Sequence, residues 1–177
     1  DLAVATGKEL LLRQPFAPTD IGEVVVGSVM PRENEANIAR IIALRLGCGN
    51  NVPGWTVQRN CGSGMQAVDS AAEDITLGRY DLVLAGGTEA MSHAPLILSE
   101  AMTRWLASWQ QARSLTQRLK LLSELRPHYF KPIVALVHGL CDPVVGLNMG
   151  QTAEILADRF HISRAEMDAY ALQSHQR

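Results

Sequence analysis

A cysteine set among glycines carries most of the chemistry that this sequence offers. Cys61 stands in Gln58-Arg59-Asn60-Cys61-Gly62-Ser63-Gly64-Met65, where a segment that reads as a strand runs into one that reads as a helix. Trp55 to Asn60 begins with alternating apolar and polar residues after the turn signal Pro53-Gly54. The apolar period then changes: Met65, Val68, Ala72 and Ile75 recur at helical steps, which predicts one buried helix face ending at Gly78. Cys61 thus precedes a helix N-terminus, whose unpaired N–H groups and positive dipole end favour a thiolate over a thiol. Gly62 and Gly64 permit the sharp turn and the close substrate approach of a nucleophile elbow. A small buried hydrophobe, the ordinary state of a free cysteine, fits the same local pattern, so spacing alone leaves both readings open.

The elements that would hold this cysteine alternate between helix and strand. Asp1 to about Gln14 reads as a helix closed by Pro15, and Ile21 to Val29 holds the run Val24-Val25-Val26 of a buried strand. A helix from about Glu35 to Leu46 would bury Ile38, Ile41, Ile42 and the stem of Arg45, with Gly47 as terminator. A third strand is expected at Tyr80 to Ala85, which gives the rhythm of a layered α/β sheet. After Ala94-Pro95 the chain becomes mostly helical. Helices are expected at Ser99 to Ser114, Leu115 to Leu125 and Met149 to Phe160, with Trp105 and Trp109 on a packing face. Between them Pro127 and Pro132 open an irregular stretch that runs to Asn148. Ser163-Arg164-Ala165-Glu166 is a capping box that opens the last helix.

Composition narrows the class of function. A chain of 177 residues with a formal net charge of −2 gives no reason to expect nucleic acid or an anionic membrane as partner. Three cysteines without close metal-ligand spacing are too few for a secreted disulfide framework and read as free thiols. No stretch has the length of a membrane-spanning helix, and the first residues do not form a signal peptide. The chain opens at Asp1 within a helical pattern, as expected of a fragment. Low charge and free thiols suit the cytoplasm, and an upstream transit peptide would instead direct the parent to a mitochondrion or peroxisome.

Read together, Asn60-Cys61-Gly62-Ser63-Gly64-Met65-Gln66-Ala67-Val68, Ala85-Gly86-Gly87-Thr88-Glu89-Ala90-Met91-Ser92 and Met149-Gly150-Gln151-Thr152-Ala153-Glu154 strongly resemble a thiolase. The closing stretch from Ile162 to Gln176 is similar to the segment that follows the last of these motifs in that family. The Gly-Gly-Thr-Glu-Ala-Met-Ser form looks more like the acyltransferases of fatty-acid oxidation than the biosynthetic acetoacetyl-CoA enzymes. The resemblance implies an α/β fold, a layered α-β-α N-terminal half with an incomplete mixed sheet over residues 1–95. Part of a mostly helical loop domain would follow over 96–177, with the C-terminal half absent.

The resemblance also implies a chemistry. Cys61 would be the nucleophile of a Claisen exchange in which a 3-ketoacyl-CoA is cleaved to acetyl-CoA and a shortened acyl-CoA. Coenzyme A and acyl-CoA would be substrates, and no metal or redox cofactor is called for. Met149 would line the channel for the pantetheine arm, and Asn148 stands where many thiolases carry a substrate-side histidine. Glu89 and Met91 would support the loop behind the nucleophile. None of the five histidines carries over from the family's catalytic motifs, and His93 would either lie near the site or face solvent in a loop. The Gly-His-Pro histidine, the Asn-Glu-Ala motif and the second cysteine of a complete thiolase are not in this sequence. A chain without that base and proton donor is expected to show little turnover. Homodimers or homotetramers are expected by analogy, with Trp55 and Val57 at the interface, as is association with a fatty-acid oxidation partner. A ketoacyl-synthase-type condensing enzyme and a non-catalytic acyl-CoA or lipid-binding relative remain as alternatives.

Overall fold

The computed structural model describes residues 1–177, apart from the side chain of residue 33. The chain divides into two compact units, Asp1–Ala94 and Pro95–Arg177.

The first unit is an α/β layer built around one strand. Helix α1 (Leu2–Leu12) leads to strand β1 (Glu23–Gly27), helix α2 (Ile38–Leu46), strand β2 (Gly54–Val57), helix α3 (Ser63–Thr76) and strand β3 (Val83–Gly87). The sheet order is β2-β1-β3, so β1 is central. It pairs in parallel with both neighbours, Val25 opposite Trp55 on one side and Ala85 on the other. Every residue of β1 is buried, as a strand covered on both faces requires. Val24 and Val26 join Leu11, Ile42, Ala43 and Leu46 in the core between the sheet and helices α1 and α2. By the alternation of a strand, Glu23 and Val25 face the other side. All sheet pairings in this unit are parallel. The antiparallel component of the molecule is a separate two-residue ribbon in the second unit.

Two helix faces differ from what periodicity predicts. On α2 the buried stripe is Ala39, Ile42, Ala43 and Leu46, one step round from the expected face, and Arg45 is exposed and paired with Asp1 at 2.9 Å. On α3 the difference is larger. Met65, Val68, Ala72 and Ile75 face outward, and the buried stripe is Ser63, Ala67, Ala71 and Asp74. The reason lies in the strand ends below. A Cβ on Gly27 would sit 2.3 Å from the carbonyl carbon of Ser63, and one on Gly87 would sit 3.1 Å from the Cα of Gly64. A helix whose first turn is seated this close to the sheet has room beneath it there for small side chains such as Ser63 and Ala67, so its larger apolar residues turn away.

The second unit is helical. Strand β4 (Leu96–Ile97) precedes helices α4 (Glu100–Gln111) and α5 (Leu115–Glu124). Within the stretch expected to be irregular, strand β5 (Ile133–Val134) pairs with β4 and is followed by the short helix α6 (Ala135–Gly139). Helices α7 (Met149–Arg159) and α8 (Arg164–Gln176) complete the chain. Trp105 and Trp109 stack with centroids 5.3 Å apart, and the Arg118 guanidinium lies over Trp109. Trp105 Nε1 donates to the Leu121 carbonyl at 2.8 Å, so this pair packs α4 on α5. Ser163 and Glu166 form the expected capping box on α8. No helix among the described residues is long and apolar enough to cross a membrane.

Candidate functional site

Cys61 lies at the carboxyl end of the parallel strands, in the turn between β2 and α3, and it is exposed. That end is where open α/β sheets present their ligands. The turn is tight. Asn60 adopts a left-handed conformation, φ 47°, which asparagine tolerates better than most residues but which still costs about 1 kcal/mol. Gly62 N–H donates back to the Arg59 carbonyl at 3.0 Å, and Ser63 N–H to the Asn60 carbonyl at 3.1 Å. From Gln66 onward the helix ladder takes over, its first bond running to Gly62. Cys61 therefore sits just before the N-terminus of α3, at the positive end of the helix dipole.

Ser63 holds this turn closed. Its hydroxyl is 2.8 Å from the Arg59 amide, whose N–H it accepts, and it donates to the Asn60 carbonyl at 2.7 Å. The residue is buried at the first position of α3, against the end of β1. Sequence reasoning passed over this serine. The signal available was its place two residues after the cysteine, where a hydroxyl can reach back to the backbone.

The other cysteines differ. Cys48 is buried in the core of the first unit, where loss of hydration pushes its thiol upward and keeps it protonated. Cys141 is half-buried in the second unit and pairs across a β-bridge with Asn148.

Beside the strand ends, Glu89 finds the partners that a shielded carboxylate needs. It accepts from the Val29 amide at 2.7 Å and the Met30 amide at 3.3 Å, tying the loop after β3 to the loop after β1. A cleft of about 180 Å³ opens there, lined by Ser28, Met30, Thr88, Glu89 and His93. His93 thus has a place in a concavity at the strand ends. Cys61 is not among the lining residues. A larger cavity, about 370 Å³, lies in the second unit between α4, α5 and Tyr129, away from every residue singled out by motif.

Asn148 and Met149 open helix α7. The Asn148 side chain accepts from the Gln151 amide at 2.8 Å, and Gln151 returns a bond to the Asn148 amide at 2.9 Å, a reciprocal cap. The Asn148 carboxamide oxygen is therefore engaged within its own helix, and the Met149 side chain is 49% exposed. The bridge from Cys141 fixes the entry to this helix through Met149 N–H to the Leu140 carbonyl at 3.1 Å.

At the opposite end of β1 lies a buried carboxyl pair that sequence reasoning did not single out. Glu23 accepts from Trp55 Nε1 at 3.1 Å through one oxygen, and its other oxygen has no partner among the described groups. Burial, reinforced by the neighbouring Asp74 on α3, pushes the Glu23 carboxyl above its ordinary range. Asp74 in turn holds Arg79 at 2.7 Å. No group of three or more potential metal ligands occurs among the described residues.

Comparison with known proteins agrees with this arrangement. The family model for the thiolase N-terminal domain matches residues 1–177. The 3-ketoacyl-CoA thiolase of Yersinia pestis (strain Pestoides F) is 39% identical over 176 residues, covering 99% of this chain and 40% of that protein. Among solved structures, the acetyl-CoA acetyltransferase of Bacillus anthracis superposes with a TM-score of 0.80 at 36% identity, over 99% of this chain and 39% of that one. Human mitochondrial 3-ketoacyl-CoA thiolase in complex with CoA gives 0.77 at 32% identity, over 99% and 40%. The chain spans about two fifths of the length of these relatives. With its motifs in order, its α/β layer in place and relatives of one kind on every side, the chain belongs to the thiolase family, of which it carries the N-terminal portion.

Proposed function

We propose that the parent protein is a thiolase in which Cys61 carries the acyl group, and that its reaction is the thiolytic cleavage of 3-ketoacyl-CoA in fatty-acid oxidation. The observation that carries this reading is the exposed Cys61 sulfur before the N-terminus of α3, on a turn held by a left-handed Asn60. The Cys61 thiolate attacks the 3-keto carbon and forms a C–S bond. The C2–C3 bond of the substrate then breaks, and its electron pair leaves with acetyl-CoA as a carbanion equivalent that takes up a proton. A second CoA thiolate attacks the resulting thioester and releases the shortened acyl-CoA with the Cys61 sulfur free again. The Cys61 N–H donates to the oxyanion formed in that second attack.

In this reading the pantetheine arm of CoA runs past Met149, and Asn148 lies on the substrate side, with its oxygen in the α7 cap and only its NH₂ left to donate. Coenzyme A is a substrate, as the CoA complex of the human relative supports, and no further cofactor takes part. The parent assembles as a homodimer or homotetramer and works beside other fatty-acid oxidation enzymes. The 177-residue chain by itself is acylated at Cys61 without sustained turnover, because the groups that would move protons in a complete thiolase are not in its sequence.

The test is labelling with radioactive acetyl-CoA followed by peptide mapping. The expected label is on the peptide that contains Cys61, and Cys61→Ser abolishes it. Label that persists in Cys61→Ser, or wild-type chain that takes up none, overturns the assignment of the nucleophile. Sustained thiolysis of acetoacetyl-CoA by the purified chain overturns the statement about turnover.

A further inference from the structure

We propose that Ser63 is the positioning residue of the nucleophile, fixing the peptide that joins Asn60 to Cys61. The proposal rests on the reading of Cys61 as the acyl carrier and adds to it the group that sets the direction of its sulfur and its amide.

The geometry is specific. The Asn60 carbonyl accepts twice from one residue, from Ser63 N–H at 3.1 Å and from the Ser63 hydroxyl at 2.7 Å. That carbonyl belongs to the same planar, trans peptide unit as the Cys61 N–H. With the carbonyl drawn toward Ser63, the Cys61 N–H must point the opposite way, out of the turn. The same hydroxyl accepts the Arg59 N–H at 2.8 Å, so the Arg59–Asn60 pair, which contains the strained residue, is clamped at its first amide and its last carbonyl by one oxygen. Ser63 cannot itself shift to follow a loosened turn, because its backbone rests on Gly27 at the end of β1. It is 4% exposed, so solvent does not compete for its hydroxyl.

Removing the hydroxyl leaves the Arg59 amide without its acceptor and the Asn60 carbonyl with a single bond. Asn60 is then free to relax from its left-handed conformation, which rotates the Cys61 peptide and moves the sulfur away from the helix N-terminus. Ser63 does not meet the substrate, and its effect travels through Cys61.

The experiment reads Cys61 thiolate reactivity with iodoacetamide, which requires no acyl-CoA and so stands apart from the labelling test above. The rate at Cys61 is measured by peptide mass spectrometry from pH 5 to pH 10 in the wild-type chain, Ser63→Ala, Ser63→Thr and the control Thr76→Ala. Thr76 bonds the Ala72 carbonyl at the far end of the same helix, so its loss perturbs α3 without touching the turn. In Ser63→Ala the rate at neutral pH is expected to fall by about tenfold, the scale of one lost hydrogen bond. Ser63→Thr restores it, and Thr76→Ala leaves it unchanged. A Ser63→Ala rate equal to that of wild type overturns the proposal, as does an equal fall in Thr76→Ala. Should Ser63→Ala not fold, hydrogen exchange of the Arg59 amide in the wild-type chain decides. Protection of that amide supports the clamp, and exchange at the rate of an open loop overturns it.

Discussion

At the scale of single residues, the first unit holds two acidic side chains in opposite circumstances. Glu89 is matched by two backbone donors, whereas Glu23 has one indole donor for two oxygens and a second carboxyl group beside it. A protonated Glu23 resolves both problems, since its O–H can point at Asp74 and no second negative charge is buried. The groups facing it are Asp74 on α3, Trp55 on β2 and Arg79 beyond α3. Of these, the Trp55 bond and the Arg79 charge favour its ionised form, and burial and Asp74 outweigh them. The sign for stability follows. A carboxyl group raised in the folded state contributes stability that is fully present below its unfolded value and is lost as pH rises through the folded one. Wild-type stability is therefore expected to decline from the acidic side toward neutral and alkaline pH. In Glu23→Gln this part of the decline disappears, because the amide stays neutral and still donates to Asp74. Urea midpoints of the two chains between pH 4 and pH 8 check this, and parallel profiles would count against a protonated Glu23.

At the scale of elements, the seat of α3 on the strand ends governs the site. An alanine methyl at position 27 meets backbone atoms of Ser63 at 2.3 and 2.4 Å, which no rotamer change can relieve. Gly27→Ala is expected to destabilise the first unit by roughly 3 kcal/mol or more, through overpacking against backbone. Gly86, one residue from Gly87 on β3, has nothing within 4 Å of where a Cβ would stand, so Gly86→Ala should be nearly neutral. Thermal unfolding of the two variants side by side is the check. A small effect at Gly27 would mean that α3 does not rest on β1 as described. This same close seat explains what the sequence could and could not disclose. The strand Val24-Val25-Val26, the turn at Cys61 and the capping box at Ser163 depend on local pattern, and each stands where pattern put it. The buried side of α3 depends on how near the sheet lies, and periodicity alone chose the larger residues Met65, Val68 and Ile75 over Ala67 and Ala71. The partners of Glu89 and Glu23 lie 60 and 32 residues away, at Val29 and Trp55, and sequence spacing cannot anticipate contacts made by tertiary packing.

At the scale of the whole molecule, the two units differ in how they exclude water. Among the described residues the largest fully buried side chains are Val24 and Val25, and both belong to the first unit. In the second unit the buried hydrophobic residues are Met102 and Ala112, while Leu115, Leu119, Phe130, Val144 and Phe160 are more than half exposed. Apolar burial supplies the main favourable term in folding, about 25 cal/mol per Å² removed from water. A unit with so little of it depends on helix caps and short-range pairs, such as the reciprocal caps of α7 and α8 and the Arg164–Asp168 pair. Exposed pairs and caps are screened by solvent, and they do not make a cooperative core. Local opening is therefore expected to be far more frequent in Pro95–Arg177 than in Asp1–Ala94. Native-state hydrogen exchange at neutral pH should show the β1 amides as the slowest in the chain and those of α7 and α8 exchanging early. Limited proteolysis of the 177-residue chain should likewise release a resistant product that ends near Ala94. Equal protection of the two units, or a resistant product from the C-terminal side, would show that caps and surface pairs hold the second unit as firmly as burial holds the first.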